Sequence, residues 1–248
     1  MKRSVLVVLI LALFVLSTTS DARKREGGAA SAVQSGKVAI KCPVPLNRIT
    51  DCPDTGCGPS LDPLLNKAKN VRSVDGDAET MTIKEVKDLE DKVEGYKIGD
   101  QRDKLTALGE GKKITVEAWA LIARKGVGES CNCKLLSVKD TDNHIVLVEP
   151  AVKNPTLAKS ENDSITAEFT PRVRLDHPNL ARAKLQPLIT AGSGKVKVRI
   201  TGQLMFDSEH SPGGHLKRHN NWEVHPVTGL NYCKKKTCGE NDLIDIEQ

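Results

Sequence analysis

Four of the six histidines in this 248-residue chain, His210, His215, His219 and His225, fall within sixteen residues and are interleaved with Asp207, Glu209 and Glu223. Histidine is the commonest metal ligand in proteins, and carboxylates complete many such sites. His210 and His225 with Asp207 and Glu223 are therefore candidate ligands for a divalent metal, whose chemistry would be activation of a bound water. Pro212, Gly213 and Gly214 make the intervening stretch a loop, and solvated loop histidines are the plainer expectation. In Trp222-Glu223-Val224-His225-Pro226, strand alternation puts Trp222 and Val224 on one face and Glu223 and His225 on the other. That pattern reads as a core tryptophan with an outward polar pair, or more ambitiously as an acid–base pair. Asp140, Asp142 and Asn143 do not make a calcium loop, because the glycine and ligand spacing of an EF-hand are missing. The nucleophile-elbow, P-loop and dinucleotide glycine motifs are absent too.

The seven cysteines, Cys42, Cys52, Cys57, Cys131, Cys133, Cys233 and Cys238, are disulfide candidates in an oxidising compartment. Cys233 and Cys238 can close a short terminal loop. Cys131 and Cys133 flank one residue, so a bond between them would be strained. Partnership with the N-terminal group, a reduced state or metal binding all stay open for that pair. The compartment follows from the N-terminus: Lys2 and Arg3, an uncharged apolar run from Val5 to Leu16, then Ser20-Asp21-Ala22, the pattern of a cleavable signal peptide cut near Ala22. That run is shorter than the roughly 20 residues a bilayer-spanning helix needs, so the mature chain is expected to be secreted or periplasmic without a transmembrane anchor. Losing Lys2, Arg3 and Asp21 takes the net charge from +5 to about +4, too small an excess to indicate nucleic acid.

The elements that must position these groups follow from periodicity. Residues 23–80 read as a flexible, cysteine-containing arm, irregular at least as far as residue 60, and 81–109 as a helical lead-in with helices near 81–94 and 100–108, the second stopped by Gly109. From residue 110 the period is two. Strands are expected at 114–122, 131–138, 144–149, 196–206 and 222–232, with an additional extended run at 164–173. A helix is expected at 179–189 with Pro187 at its end. The order predicts a mainly β (α+β) chain: a five-stranded OB-like Greek-key barrel over 110–238, behind an N-terminal helical, disulfide-pinned extension and before a tail at 239–248. OB barrels grip ligands with the loops joining strands 1–2 and 4–5. Arg124 and Lys125 in the first, Lys217 and Arg218 in the second, and the outward Trp119 are candidate ligand-binding residues for an anionic partner.

Glu129-Ser130-Cys131-Asn132-Cys133, Asp142-Asn143-His144, Thr170-Pro171-Arg172, the run from Gly202 to His210, and Trp222 to Pro226 together resemble segments of small exported bacterial proteins of unassigned function. The resemblance covers about residues 110–232 and implies a bacterial envelope or secreted setting, with no activity to carry over. The expected function is an exported binding module holding an anionic polymer or an envelope protein partner on two basic loops. The alternative is a metal-dependent nuclease or phosphoesterase using the histidine-rich loop.

Overall fold

Five strands close a barrel, although one of them is not a strand the periodicity placed in it. The structure, a computed structural model, describes residues 38–89, 102–210, 217–235 and 238–248. The signal peptide, the first part of the arm, residues 90–94 of the expected first helix and His215 lie outside them.

In the arm, β1 (Val38–Ile40) and β2 (Gly58–Leu61) form a two-stranded antiparallel ribbon. It leads into α1 (Pro63–Lys69), which starts where Asp62 accepts hydrogen bonds from the Leu64 and Leu65 amides with Pro63 in the first turn. Next come β3 (Glu79–Met81), α2 (Ile83–Asp88), opened by a Thr82–Glu85 capping box, and α3 (Arg102–Ala107). The rest is β4 (Lys113–Lys125), β5 (Asn143–Val148), α4 (Leu157–Ser160), β6 (Ile165–Phe169), α5 (Arg182–Ala191), β7 (Val196–Phe206), β8 (Trp222–Cys233) and β9 (Ile244–Asp245). The pairing order β4-β5-β6-β8-β7 returns from β7 to β4, with only β6 and β8 parallel, so the sheet closes as an OB-like barrel. Alternate residues fill it: Ile114 and Val116 from β4, Ile145 and Leu147 from β5, Ile165 and Phe169 from β6, Ile200 and Phe206 from β7, Trp222 and Val224 from β8. The Trp222 ring meets Phe206 edge-on, with centroids 5.3 Å apart.

Three expectations are corrected. Residues 131–138 form turns, not a strand. Cys133 and Lys134 adopt φ of 52° and 59°, outside the extended region, and Leu136 and Val138 are exposed rather than buried. The run near 164–173 supplies the missing strand as β6, so it is not an addition to the barrel but part of it. Pro187 lies inside α5, not at its end. The arm, for its part, carries β1 and most of β2 where irregular chain is expected as far as residue 60, and α1 just beyond it.

Six cysteines pair, as Cys42–Cys57, Cys52–Cys133 and Cys233–Cys238, while Cys131 is a buried free thiol. The terminal pair matches the expected short loop, and Cys131 leaves the disulfide set. Cys52–Cys133 spans 81 residues, against 5 for the terminal pair. Loop-closure entropy then predicts that Cys52→Ala/Cys133→Ala loses about 4–5 kcal/mol and Cys233→Ala/Cys238→Ala about 2 kcal/mol. Urea unfolding of the two double variants checks this; equal losses would refute the ordering.

Candidate metal centre

The barrel's inner face is apolar, and the chemistry sits on the outer face of the same strands. Strand alternation directs Ile165, Ala167 and Phe169 into the core and Glu168 away from it; Trp222 and Val224 inward and Glu223 and His225 outward; Phe206 inward and Asp207 outward. These outward residues are nonetheless buried: relative exposure is 1% for Glu168, 0% for Glu223 and His225, and 1% for Asp207. The arm covers them. Lys69, at the end of α1, reaches Glu129 Oε2 at 3.0 Å and Asp207 Oδ1 at 3.6 Å. The Asn70 side chain donates to the Cys131 carbonyl and the Ser130 hydroxyl to Asn66 Oδ1. The Cys52–Cys133 disulfide ties the arm to the β4–β5 loop. Gly56 is required at this seam: its φ is +68°, and a Cβ there would lie 2.1 Å from the Ser130 carbonyl oxygen.

Beneath the arm runs one connected set of ionisable groups. His225 Nδ1 lies 3.1 Å from Glu223 Oε1 and 3.2 Å from Glu168 Oε2. His144 Nε2 lies 3.2 Å from Glu168 Oε1 and 3.6 Å from Glu129 Oε1. Arg218 bridges Glu223 at 2.8 Å and Asp207 at 3.2 Å, and Asp207 Oδ2 holds His210 Nδ1 at 2.8 Å. Asn132 donates to Asp142 Oδ2 at 2.6 Å. Six buried polar atoms in the set make no hydrogen bond: Asp142 Oδ1, His225 Nε2, Asn132 Oδ1 and Arg218 Nε, and also His144 Nε2 and Glu168 Oε2, whose contacts at 3.2 Å are ion pairs only. Buried polar atoms normally find partners, so each of these calls for an explanation.

The electrostatics divide the carboxylates. Burial pushes Glu129 and Asp207 up, but Lys69 and His144 together at Glu129, and Lys69, His210 and Arg218 together at Asp207, outweigh it, so both are held well below the usual range. Burial raises Glu168 well above the ordinary glutamate value, His225 pulls back, and Glu223 and Glu129 push it further up. Asp142 is raised by burial and by Glu129. Burial would lower His225, but Glu168 and Glu223 lift it to about 9. Without a cation the centre thus holds protons on groups that are good metal ligands. Three overlapping triads, Asp142/Glu168/His225, Glu129/His144/Glu168 and Glu129/Cys131/Asp142, each bring their ligand atoms within 4.8 Å of one another and could hold a metal ion. Bond lengths near 2.0–2.3 Å put ligands of one ion roughly 3–3.5 Å apart, so a small inward closure would complete such a site.

Of the residues expected to bind metal, only His225 belongs to one of these triads. Asp207 and Glu223 are neutralised by Arg218, and His210 lies on Asp207 with its side chain 21% exposed. His219 is half exposed and pairs with Asp163. Among the expected ligand-binding residues, Arg124 pairs with Glu161 at 2.5 Å, Lys125 is exposed and donates to the Leu136 carbonyl at 2.7 Å, and Arg218 is wholly buried in its ion pairs; Lys217 is exposed and Trp119 half-buried. The two loops do converge: the β4–β5 loop supplies Glu129, Cys131 and Asp142, and the β7–β8 loop supplies Asp207, His210 and Arg218. They join His144 and Glu168 from the second and third barrel strands, the region where OB barrels bind ligands. Every segment of the resemblance noted above delivers a residue to this centre or its cover; Arg172, for one, donates to the Cys52 and Pro53 carbonyls of the arm.

No known family model and no curated protein matches this chain. Among solved structures, one from Leishmania major Friedlin, assigned as an aspartyl-tRNA synthetase, is similar at 11% identity and a TM-score of 0.30. The match covers 65% of this chain and 22% of that one, and it carries no argument.

Proposed function

We propose that this chain is an exported, metal-dependent hydrolase whose ion lies between Asp142, Glu168 and His225 and whose substrate is a phosphoester. The observation that supports this is the convergence, under the arm, of buried carboxylate and imidazole ligand atoms within 4.8 Å of one another, with Asp142 Oδ1 and His225 Nε2 left without a hydrogen bond. A structural ion needs three or four closed ligands. This centre adds Asp207, His210, Arg218, Glu223 and Lys69, a surplus of buried ionisable groups that costs stability and characterises sites built for chemistry. A bound ion would bring water towards a pKa of about 7. His210, oriented by Asp207 at the most exposed edge, is the group we assign to move the proton, while Arg218 and Lys69, both buried, hold Asp207 in place behind it. Export rests on the N-terminal pattern; the three disulfides fit it, and no helix among the described residues is long and apolar enough to cross a membrane.

The test is hydrolysis of phosphomonoester and phosphodiester probes by chelated and by metal-reloaded protein. His210→Ala should lower kcat by about a hundredfold or more while the metal content per chain is unchanged. Activity indifferent to chelation, or a metal-loaded protein inert towards every phosphoester, overturns the hydrolase reading.

A second reading, binding of an anionic polymer without catalysis, has one observation in its favour. Trp119, Lys195, Lys197, Lys234 and Lys235 line an open groove of about 550 Å³, with the Lys195 ammonium 5.6 Å from the Trp119 ring. In this reading the anionic partner would lie on the barrel wall rather than on the two loops. Salt-insensitive binding, or none, would count against it.

A further inference from the structure

We propose that the centre is dinuclear, with a second ion held by Glu129, Cys131 and Asp142 and with Asp142 bridging it to the first; this rests on the metal reading above. Two of the three triads, Asp142/Glu168/His225 and Glu129/Cys131/Asp142, have only Asp142 in common. Asp142 is built to serve both sides. Its Oδ2 faces the second triad, 3.9 Å from Cys131 Sγ and held there by Asn132, while its Oδ1 is buried without a hydrogen bond. A carboxylate that offers one oxygen to each of two ions is the usual bridge at metal–metal separations of about 3.5–4 Å.

Cys131 supplies the other half of the argument. It is the one cysteine outside the three disulfides, 1% exposed, with its sulfur 3.7 Å from Glu129 Oε2 as well as 3.9 Å from Asp142 Oδ2. A thiol has one weak hydrogen to give and cannot serve both carboxylates, which take their donors from Lys69 at Glu129 Oε2 and from Asn132 at Asp142 Oδ2. A divalent ion would join all three groups: the thiol proton leaves to solvent, the sulfur–metal bond forms, and each carboxylate gives the ion an oxygen lone pair. Lys69, 3.0 Å from Glu129 Oε2, and His144, 3.6 Å from Oε1, hold Glu129 in place from outside. Thiolate ligation selects zinc-like ions over magnesium or calcium at this position.

With six cysteines disulfide-bonded, Cys131 is the only sulfur available to give a thiolate–metal signal. Protein stripped with chelator is reloaded with zinc for elemental analysis and with cobalt(II) for absorption spectroscopy. The expected result is two ions per chain and a thiolate-to-cobalt charge-transfer band in the near ultraviolet. Cys131→Ser should bind one ion and lose the band. The wild-type measurements decide the matter even if that variant fails to fold. One ion and no band overturns the second site and leaves the first standing. No ion at all overturns both. Two ions without the band, or a band that persists in Cys131→Ser, overturns the assignment of Cys131.

Discussion

Glu168→Gln is expected to lower metal affinity by a factor on the order of a hundred while leaving the metal-free fold close to the wild type in stability. The two effects have one cause. Glu168 is fully buried with Glu223 and Glu129 as like-charged neighbours, and burial drives its carboxyl far towards the protonated form. A glutamine is close in shape to that neutral form, so the metal-free protein loses little. With a cation present the comparison reverses, because the anionic oxygen that balances the ion has gone; losing even a supporting group around a metal costs about 10–100-fold. Isothermal titration with zinc and urea unfolding in chelator separate the two. A purely structural role for Glu168 predicts the opposite pattern, with stability lost and metal binding unaffected.

Arg218→Met should cost about 3–5 kcal/mol, the largest single-site loss of stability expected outside the barrel core. The guanidinium is wholly buried and holds Glu223 at 2.8 Å and Asp207 at 3.2 Å, so the methionine leaves two buried carboxylates short of a cation. The loss should depend on pH in a definite direction. Asp207 titrates well below the ordinary aspartate value of 3.8 in the folded protein, with Lys69, His210 and Arg218 overcoming its burial. A lowered folded-state value contributes stability that is present above the unfolded value and lost as pH falls through the folded one. The gap between wild type and variant is therefore full at neutral pH and narrows below about pH 4. Urea midpoints at pH 7 and at pH 3.5 measure it; a gap under about 1 kcal/mol at pH 7, or one that widens on acidification, contradicts the role given to Arg218.

Much of the barrel was legible because periodicity survives wherever one face of a strand is buried. Residues 114–122, 196–206 and 222–232 alternate cleanly, and each lies within a long strand, β4, β7 and β8. The run 131–138 misled because Leu135, Leu136 and Val138 are apolar residues in a loop, whose path is dictated by positive φ at Cys133 and Lys134 and by a disulfide to a distant cysteine. Alternation also placed Glu223 and His225 correctly on the face away from Trp222. It could not show that this face is covered. The covering element, α1, is only seven residues long, too short for a helical repeat to stand out, though Asp62-Pro63 is a recognisable helix start. Glu168 carried no signal of its own, since one polar residue between Ala167 and Phe169 looks like any solvent-facing strand position. Asp142 fits no calcium-loop template in the sequence; its role depends on His225, eighty-three positions away and brought close by barrel closure.

The most direct test of the metal centre is an anomalous-scattering map from crystals of the zinc-loaded protein, recorded on both sides of the zinc absorption edge. The structure predicts a zinc peak bonded to Asp142, Glu168 and His225, at roughly 2.0–2.2 Å from the ligand atoms. A zinc-saturated crystal with no anomalous peak among those three residues would contradict it.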